Sequence, residues 1–380
     1  MDDKNEHKEF NNLGIREDLL KGIFVHGFKN PSPIQIKGIK AINTGNDCIL
    51  QSQSGTGKTG TYLLGIMNNI SENEKSIIIS PTRELAKQIY DVAIEIVKYS
   101  KLKVGLYIGG SNIGEDFKNI KDCNIVIGTI GRVNHIFQKK KYLYNHVKIF
   151  VCDEADNIFD NNVNNDIYNI ISSIQSNTQK ILISATLNNY VFSVSEKFLE
   201  NPIKILLKKT EIAVDLISQF YIDTEVEEYK LDVFLDLYNI ISTTQAIIFC
   251  NTIRKVEWLT KELTDKNFAI TAIHSKMSQD ERNEIVNEFR DGKTRLLLTT
   301  DLLARGIDIP QVNLVINYDL PINKETYIHR IGRCGRFGKK GVSISMVKMN
   351  ESNEVRILNR MKNYYNIDIN ELPEDIETYI

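Results

Sequence analysis

A short glycine-rich stretch, residues 52–59, stands between two mainly apolar segments of the chain. Residues 47–50 before it predict a strand, and residues 62–70 after it predict a helix. A glycine-rich loop that joins a strand to a helix is typical of a phosphate-binding loop. The stretch therefore favours an α/β fold with a parallel sheet, in which binding sites form at the carboxyl ends of the strands.

The residue types of the loop fit the requirements of a nucleotide phosphate chain. Gly55 and Gly57 would let backbone N–H groups close around phosphate oxygens. Lys58 would reach the β- and γ-phosphates, and the Thr59 hydroxyl would ligate Mg²⁺. The first loop position is Ser52, where the strict pattern has glycine. The predicted cofactor-binding residues of the loop are Ser54, Gly55, Thr56, Gly57, Lys58 and Thr59.

A second stretch ends in carboxylates. Residues 148–152 predict a buried strand, and Asp153, Glu154 and Asp156 follow it. Asp153 would hold Mg²⁺ through the metal's water shell, and Glu154 is a candidate general base for an attacking water. A Glu-Ala-Asp tripeptide alone is a weak indication, but its place after a buried strand and downstream of a phosphate-binding loop makes it strong.

Apolar, β-branched runs alternate with helical periodicity along the chain, which predicts two successive α/β units. Besides the strand at 148–152, strands are predicted at 76–80, 124–128, 180–184, 245–250, 269–273, 294–300 and 312–317. Helices are predicted at 84–99, 255–263 and 278–290, and the asparagine-rich stretch 157–169 predicts a solvated loop entering a helix. Ser278 and Glu281 have the spacing of a capping box. We place the first domain at 1–208, a short linker at 209–215 and the second domain at 216–380.

Composition excludes several classes of protein. The formal net charge of −2 means that nucleic-acid binding would depend on a local cleft. No apolar stretch reaches the roughly 18 residues of a membrane span, and the first ten residues do not have the pattern of a signal peptide. The five cysteines have no C-x-x-C spacing, which argues against a zinc site or a disulfide framework. We therefore expect a reducing compartment, the nucleus or the cytoplasm.

Taken in order, these motifs resemble those of the DEAD-box RNA helicases, and the resemblance runs from about Phe10 to the C-terminus. Within that family it is greatest to the translation initiation factor branch and its exon-junction paralogue. The resemblance implies two tandem RecA-like domains, each a mainly parallel sheet flanked by helices. It also implies an RNA-stimulated ATPase, with ATP and Mg²⁺ as cofactors, which closes two domains around RNA and unwinds short duplexes.

The same resemblance implies roles for individual residues. Phe28 would stack on adenine, Gln35 would hydrogen-bond the base edge, and Asp308 would contact the ribose. Catalytic roles fall on Lys58, Asp153, Glu154, Arg333 and Arg336, with the two arginines as fingers on the γ-phosphate. RNA phosphates and riboses would be bound by Pro81, Thr82, Arg83, Gly109, Gly110, Thr129, Arg132, Asn251, Arg254, Gln279, Arg282 and Thr300. Hydrolysis would be coupled to RNA binding through Asp156, Ser184, Thr186 and His329.

Two positions depart from the pattern of the family. Ile130 stands where the family usually has proline, and we expect only a shifted loop because Thr129 and Arg132 are retained. Ser275 and Lys276 stand where the family usually has Gly-Asp after the histidine.

Three functions are compatible with the sequence: an RNA-stimulated ATPase that unwinds short duplexes, an ATP-gated RNA clamp that serves as a scaffold, and a DNA helicase. The family resemblance disfavours DNA. Translation initiation, splicing and ribosomal-RNA processing stay open as pathways. We expect a monomer without membrane contact, which binds the RNA backbone with little sequence preference and depends on protein regulators of the initiation-factor type.

Overall fold

The computed structural model describes residues 9–52, 55–160, 165–187, 189–206, 217–241, 245–301, 312–335 and 340–379. The chain divides into two compact units, with the change from one to the other at Leu206 and Leu207. The predicted linker, 209–215, lies outside the described residues. Each unit contains a parallel sheet flanked by helices, so the predicted α/β class is confirmed.

The first unit is built on a sheet whose described strand pairs are all parallel. Its described strands are β1 (Cys48–Gln51), β2 (Lys75–Ser80), β3 (Val104–Tyr107), β4 (Ile125–Thr129), β5 (Val147–Asp153), β6 (Gln179–Ser184) and β7 (Ile203–Ile205). They lie in the order β3-β4-β2-β5-β6-β1-β7. The strand ends at β1, β6 and β5 are therefore neighbours, and so are those at β3, β4 and β2.

Helices connect these strands. The described α-helices are α1 (Glu17–His26), α2 (Pro33–Asn43), α3 (Lys58–Asn69), α4 (Arg83–Val97), α5 (Ile113–Asn119), α6 (Ile130–Lys139), α7 (Ala155–Asp160), α8 (Asn165–Ser173) and α9 (Asn189–Ser195). Short 3₁₀ helices cover Phe10–Leu13 and Lys141–His146. The helices cover both faces of the sheet, which is the arrangement that a parallel sheet requires.

Alternate side chains of the central strands enter different cores. On β2, Ile78 packs into a core with α1, α3 and α4, whereas Ile77 and Ile79 pack into a second core with α6 and α8. Phe150 on β5 belongs to the second core and is fully buried. Burial on both faces explains why these strands read as continuous apolar runs in the sequence.

The second unit repeats this plan. Its described strands are β8 (Ile217–Asp223), β9 (Ala246–Phe249), β10 (Ile270–Ile273), β11 (Leu296–Thr299), β12 (Leu314–Asn317), β13 (Gly341–Val347) and β14 (Asn370–Glu371), in the order β10-β11-β9-β12-β13-β8-β14. Its described α-helices are α10 (Lys230–Ile241), α11 (Ile253–Asp265), α12 (Gln279–Arg290), α13 (Lys324–Ile331) and α14 (Ser352–Tyr365). Glu227–Tyr229 and Ile376–Thr378 form 3₁₀ turns.

One prediction about local structure is wrong. The sequence predicts that the asparagine-rich stretch 157–169 begins as a solvated loop, but α7 covers Ala155–Asp160 and α8 begins at Asn165. Phe159 is fully buried and Ile158 nearly so, both in the second core of the first unit. Their burial stabilises a helix in a sequence whose asparagines disfavour one, because packing overrides intrinsic propensity.

Across the described stretches of chain, no helix combines the length and apolar character that a bilayer crossing requires. All five cysteines are buried, and none of them forms a disulfide.

The capping box at the start of α12 is confirmed. The Ser278 backbone N–H donates to Glu281 Oε2 at 2.8 Å, and the Glu281 N–H donates to Ser278 Oγ at 3.3 Å. We predict that Ser278→Ala lowers the free energy of unfolding of the second unit by about 1 kcal/mol, since a helix N-terminus loses its side-chain acceptor. Trp258, the single tryptophan of the chain, lies on α11 of this unit, so its fluorescence during urea unfolding measures the change.

Ser275→Ala is the matched control for this measurement. Ser275 is exposed and precedes the helix, so its loss should change the free energy by less than about 0.5 kcal/mol. Equal urea midpoints for the two variants would contradict the assigned role of the cap.

Candidate active site

The glycine-rich loop follows β1 and opens α3. Gly55 and Gly57 have φ of 76° and 96°, in the left-handed region that glycine adopts without strain. Gly57 is the N-cap of α3, so the backbone N–H groups of the first helical turn point toward the loop. With the helix dipole, they make this end of α3 suitable for phosphate oxygens. Ser54 lies outside the described residues.

Side chains also stabilise the loop. Lys58 Nζ donates to the Ser52 carbonyl oxygen at 2.8 Å, and the hydroxyls of Ser52 and Thr56 are 2.6 Å apart. Serine at the first loop position therefore forms a contact within the loop that glycine could not form. Lys58 lies at the start of α3, next to the N–H groups that would bind phosphate.

The predicted adenine element packs directly against this loop. Ser32 and Gln35 form a capping box at the start of α2. Gln35 Oε1 accepts from the Ser32 N–H at 2.8 Å, and Gln35 Nε2 donates to the Gly57 carbonyl at 3.4 Å. A Cβ at Gly60 would lie 3.2 Å from the Phe28 ring, so that ring covers the first turn of α3. Gln35 thus joins α2 to the phosphate loop, and its contact with adenine stays a prediction.

Asp153 ends β5 and is held from two sides. Its Oδ2 accepts a hydrogen bond from the Tyr62 hydroxyl at 2.8 Å, and its Oδ1 accepts from the Glu154 N–H at 2.9 Å. Burial raises the pKa of Asp153, while the hydrogen bond from Tyr62 and the charge of Lys58 act in the opposite direction by favouring the ionised form. The carboxylate is therefore oriented at the strand end where a metal ligand is expected.

Tyr62 was not among the predicted site residues. It is fully buried on α3. Burial raises the pKa of its hydroxyl well above the usual value, as does Asp153, whereas a hydrogen bond from the Thr59 side chain lowers it. The hydroxyl therefore contacts Asp153, one of the two predicted magnesium ligands.

Glu154 has an unusual backbone conformation. Its φ is 50°, a left-handed value that costs about 1–2 kcal/mol for a residue with a side chain. Its carbonyl accepts from the N–H groups of Asn157 and Ile158, so it also opens α7. Such strain concentrates at functional sites. Glu154 is buried next to Asp153, which is the position expected of a base near the metal site.

The Ser-Ala-Thr segment after β6, residues 184–186, joins the phosphate loop to the carboxylates that follow β5. Thr186 Oγ1 hydrogen-bonds Asp156 Oδ2, and Ser184 Oγ donates to the Thr186 carbonyl at 2.6 Å. The Ser52 N–H donates to the Ser184 carbonyl at 3.2 Å. The phosphate loop, the carboxylates and this segment are therefore linked by hydrogen bonds along the ends of three adjacent strands.

The predicted RNA contacts of the first unit lie along the other half of the same sheet edge, after β2, β3 and β4. Pro81 separates β2 from Thr82, which caps α4 through a 3.2 Å bond from the Leu85 N–H. A Cβ at Gly109 or Gly110 would lie 2.9 or 3.2 Å from the Arg83 guanidinium. The glycines thus give Arg83 room beside the loop backbone.

Arg132 is held by an acid that sequence reasoning missed. Its Nη1 donates to Asp116 Oδ2 at 2.7 Å, and its Nη2 donates to the Ser111 carbonyl at 3.0 Å. Thr129 is the N-cap of α6, which begins at Ile130. The loop therefore leads directly into a helix with isoleucine at this position, and Asp116 fixes the direction of Arg132.

In the second unit, Gln279 and Arg282 follow β10, whereas the other described residues that were predicted lie after β9, β11 and β12, which are adjacent strands. Arg330 is fully buried and joins these three loops. It donates to Asp301 Oδ1 at 2.6 Å, to Asn251 Oδ1 at 2.8 Å and to the Asp319 carbonyl at 2.8 Å. Asp301 follows Thr300, so Arg330 positions the loops that carry two predicted RNA contacts.

The remaining predicted residues of this unit are described only in part. Arg333 is buried, and its Nε donates to the carbonyl of the fully buried His329 at 3.3 Å. Arg282 Nη2 donates to Gln279 Oε1 at 2.9 Å at the start of α12, and Arg254 is exposed on α11. Asp308 and Arg336 lie outside the described residues.

The departure at Ser275 and Lys276 leaves a positive charge near a carboxylate. His274 Nε2 and Lys276 Nζ each lie 3.8 Å from Glu257 Oε1. Ser275 and Lys276 are both exposed, so they are accessible in the loop between β10 and α12.

A phosphate-binding loop after β1 and carboxylates after β5, two strands along the same sheet edge, one of them on a strained backbone, define a P-loop nucleotide-binding protein. Family models agree: the DEAD/DEAH box helicase model matches residues 32–193, and the helicase conserved C-terminal domain model matches 229–338. The ATP-dependent RNA helicase eIF4A of Candida glabrata is 47% identical over 373 residues, which are 97% of this chain and 93% of that relative. The chain belongs to the DEAD-box helicase family.

Other relatives and solved structures give the same result. The Saccharomyces cerevisiae eIF4A helicase is 45% identical over 98% of this chain and 94% of its own length. S. cerevisiae Dbp5 bound to RNA and ADP-BeF₃ is similar in structure with a TM-score of 0.91 at 34% identity, covering 98% of each chain. Mss116p bound to single-stranded RNA and AMP-PNP has a TM-score of 0.86 at 26% identity, covering 99% of this chain and 82% of that one. The expected pair of RecA-like domains is thereby confirmed.

We predict that Arg330→Met lowers the free energy of unfolding of the second unit by about 1.5–3 kcal/mol, because acceptors in three loops, which are themselves partly exposed, lose a charged hydrogen-bond donor. Arg330→Lys should not restore the loss, since an ammonium cannot replace the planar guanidinium fork. Urea unfolding followed by Trp258 fluorescence measures the change.

Arg360→Met, on the exposed side of α14, is the control and should change the free energy by less than about 0.5 kcal/mol. A similar small change in Arg330→Met would show that Arg330 does not connect the loops.

Proposed function

We propose that this chain is an ATP-dependent RNA helicase in which RNA-stimulated ATP hydrolysis drives local unwinding of short duplexes. The observation that carries the proposal is the hydrogen-bonded connection of Ser52, Ser184, Thr186 and Asp156. It joins the loop suited to ATP phosphates to the carboxylates that would act on them. The RNA-bound helicases of the same fold support RNA as the partner.

The residues fit ATP and Mg²⁺. The left-handed glycines and the start of α3 form a cradle for phosphate, and a Cβ at Gly57 would lie only 2.8 Å from Gln35 Nε2. Asp153 and Thr59 would hold Mg²⁺, with Asp153 acting through water. When bound, Mg²⁺ neutralises charge on the β- and γ-phosphate oxygens. Lys58 binds the phosphates, and Glu154 orients and deprotonates the attacking water.

The proposal includes closure of the two units around nucleotide and RNA. Lys58, Asp153 and Glu154 belong to the first unit, whereas Arg333 and Arg336, which we propose as arginine fingers, belong to the second. Predicted RNA contacts are divided in the same way. ATP and RNA each favour the closed state, so each should raise the affinity of the other.

We further propose a role in translation initiation, which the eIF4A names of the relatives support. The target RNA would be selected by protein regulators, because backbone contacts carry little sequence information. The structural neighbour Dbp5 has been solved bound to Nup159 and Gle1, which supports protein partners for this fold. We propose that this chain acts as a monomer in the cytoplasm or nucleus.

RNA-stimulated turnover is the first test of the proposal. We predict that single-stranded RNA raises the ATPase rate, and that DNA of the same length and sequence does not, when phosphate release is measured. Equal stimulation by DNA would contradict the RNA assignment. Stable ATP-dependent RNA binding without turnover would favour the scaffold function, a clamp gated by ATP.

The second test concerns the base. Glu154→Gln should lower kcat by about 10²-fold or more, since it removes a general base, and should retain ATP and RNA together on the protein. Dissociation of labelled RNA in the presence of ATP measures this retention. Glu17→Gln, at an exposed position on α1, is the control. Rapid release of RNA from Glu154→Gln would exclude Glu154 as the base.

A further inference from the structure

Tyr62 brings a polar group into an otherwise apolar part of α3. Its side chain is fully buried among core residues that include Leu63 and Ile66. Phenylalanine would fill the same space, so packing alone does not require the hydroxyl. A buried hydroxyl is stable only where it finds a hydrogen-bond partner, and here its partner is Asp153 Oδ2 at 2.8 Å.

The hydroxyl and the Glu154 N–H hold opposite oxygens of one carboxylate. Tyr62 donates to Oδ2 and the Glu154 N–H donates to Oδ1 at 2.9 Å. Rotation of the carboxylate about its own bond would break both hydrogen bonds. Each oxygen of an ionised carboxylate has a second acceptor site, so Asp153 can still accept hydrogen bonds from metal-bound water.

Tyr62 and Thr59 are three residues apart on α3, so they lie on the same side of the helix. Thr59, at the start of this helix, is the other proposed magnesium ligand. One phenol oxygen therefore connects the helix that follows the phosphate loop with the carboxylate at the end of β5. These are the two elements that carry the proposed magnesium ligands.

We propose that Tyr62 is a positioning residue for Mg²⁺–nucleotide binding, which holds the Asp153 carboxylate in the orientation that accepts the water shell of the metal. Tyr62 acts through Asp153 and does not contact the nucleotide. This inference rests on the proposed function, because it requires that Mg²⁺ and nucleotide bind at this site.

The test measures how much Mg²⁺ tightens ADP binding, by calorimetric titration with ADP in Mg²⁺ and in EDTA. Tyr62→Phe should reduce the gain in ADP affinity from Mg²⁺ by about tenfold, the value expected when a charged group loses one hydrogen bond. Its ADP affinity in EDTA should equal that of the unmodified chain. An unchanged gain, or an equal loss in Mg²⁺ and in EDTA, would overturn the proposal.

Tyr107→Phe is the matched control. Tyr107 is a buried tyrosine of the same unit and lies on the edge strand β3. Its hydroxyl donates to Cys123 Sγ at 3.2 Å. Loss of the Tyr107 hydroxyl should leave the gain in ADP affinity from Mg²⁺ unchanged. A Tyr62→Phe protein that no longer unfolds cooperatively would overturn the proposal, because the core and not the metal site would then need the hydroxyl.

A double-mutant cycle with Asp153→Asn identifies the route of the effect. If Tyr62 acts through the carboxylate, Tyr62→Phe causes no further loss of the Mg²⁺ gain in the Asp153→Asn background. An additional tenfold loss there would overturn the proposal. Absence of any Mg²⁺ gain in the unmodified chain would instead count against the proposed function itself, so the two failures are distinguishable.

Discussion

The hydrogen bonds at the carboxyl ends of three adjacent parallel strands are the constraint on which the site depends. Strands β1, β6 and β5 end side by side, and in register Gln51 pairs with Ser184 and Asp153 with Ile183. The loops after them therefore start at one level. The Ser52–Ser184 and Thr186–Asp156 hydrogen bonds then join those loops across the edge. Few contacts therefore separate the phosphate-binding loop from the carboxylates.

In the second unit, a different chemical group joins the loops at the carboxyl ends of the strands. Its loops also follow adjacent strands, but a buried arginine connects them in place of a series of hydroxyls. Arg330 has several donors in one plane, so it can bind Asp301, Asn251 and the Asp319 carbonyl at once. In both units the residues that would contact ligand are oriented by buried neighbours. Such preorganisation removes the cost of ordering them when ligand binds.

The sequence allowed much of the fold to be predicted, because apolar runs mark strands that are buried on both faces. The sequence also located the phosphate loop and Asp153, because phosphate binding requires glycines in the loop and a metal ligand requires a carboxylate. Contacts between distant segments could not be predicted in this way. Tyr62 looked like an apolar residue of a core helix, and its role depends on a residue 91 positions away. Arg330 lies in a string of arginines whose sequence does not show which one connects the loops. The burial of Phe159 likewise overrode the asparagines around it.

The central claim is that the hydrogen-bonded edge of the first unit couples nucleotide to RNA. Thr186→Val tests it directly, because it removes the hydroxyl that bonds Asp156 and retains the shape of the side chain. The measurement is the affinity for a labelled single-stranded RNA with and without AMP-PNP, in the unmodified chain and in the variant. We expect AMP-PNP to tighten RNA binding by about tenfold or more in the unmodified chain, and to have little effect in Thr186→Val, while the affinity without nucleotide stays the same. Equal tightening in both proteins would contradict the account.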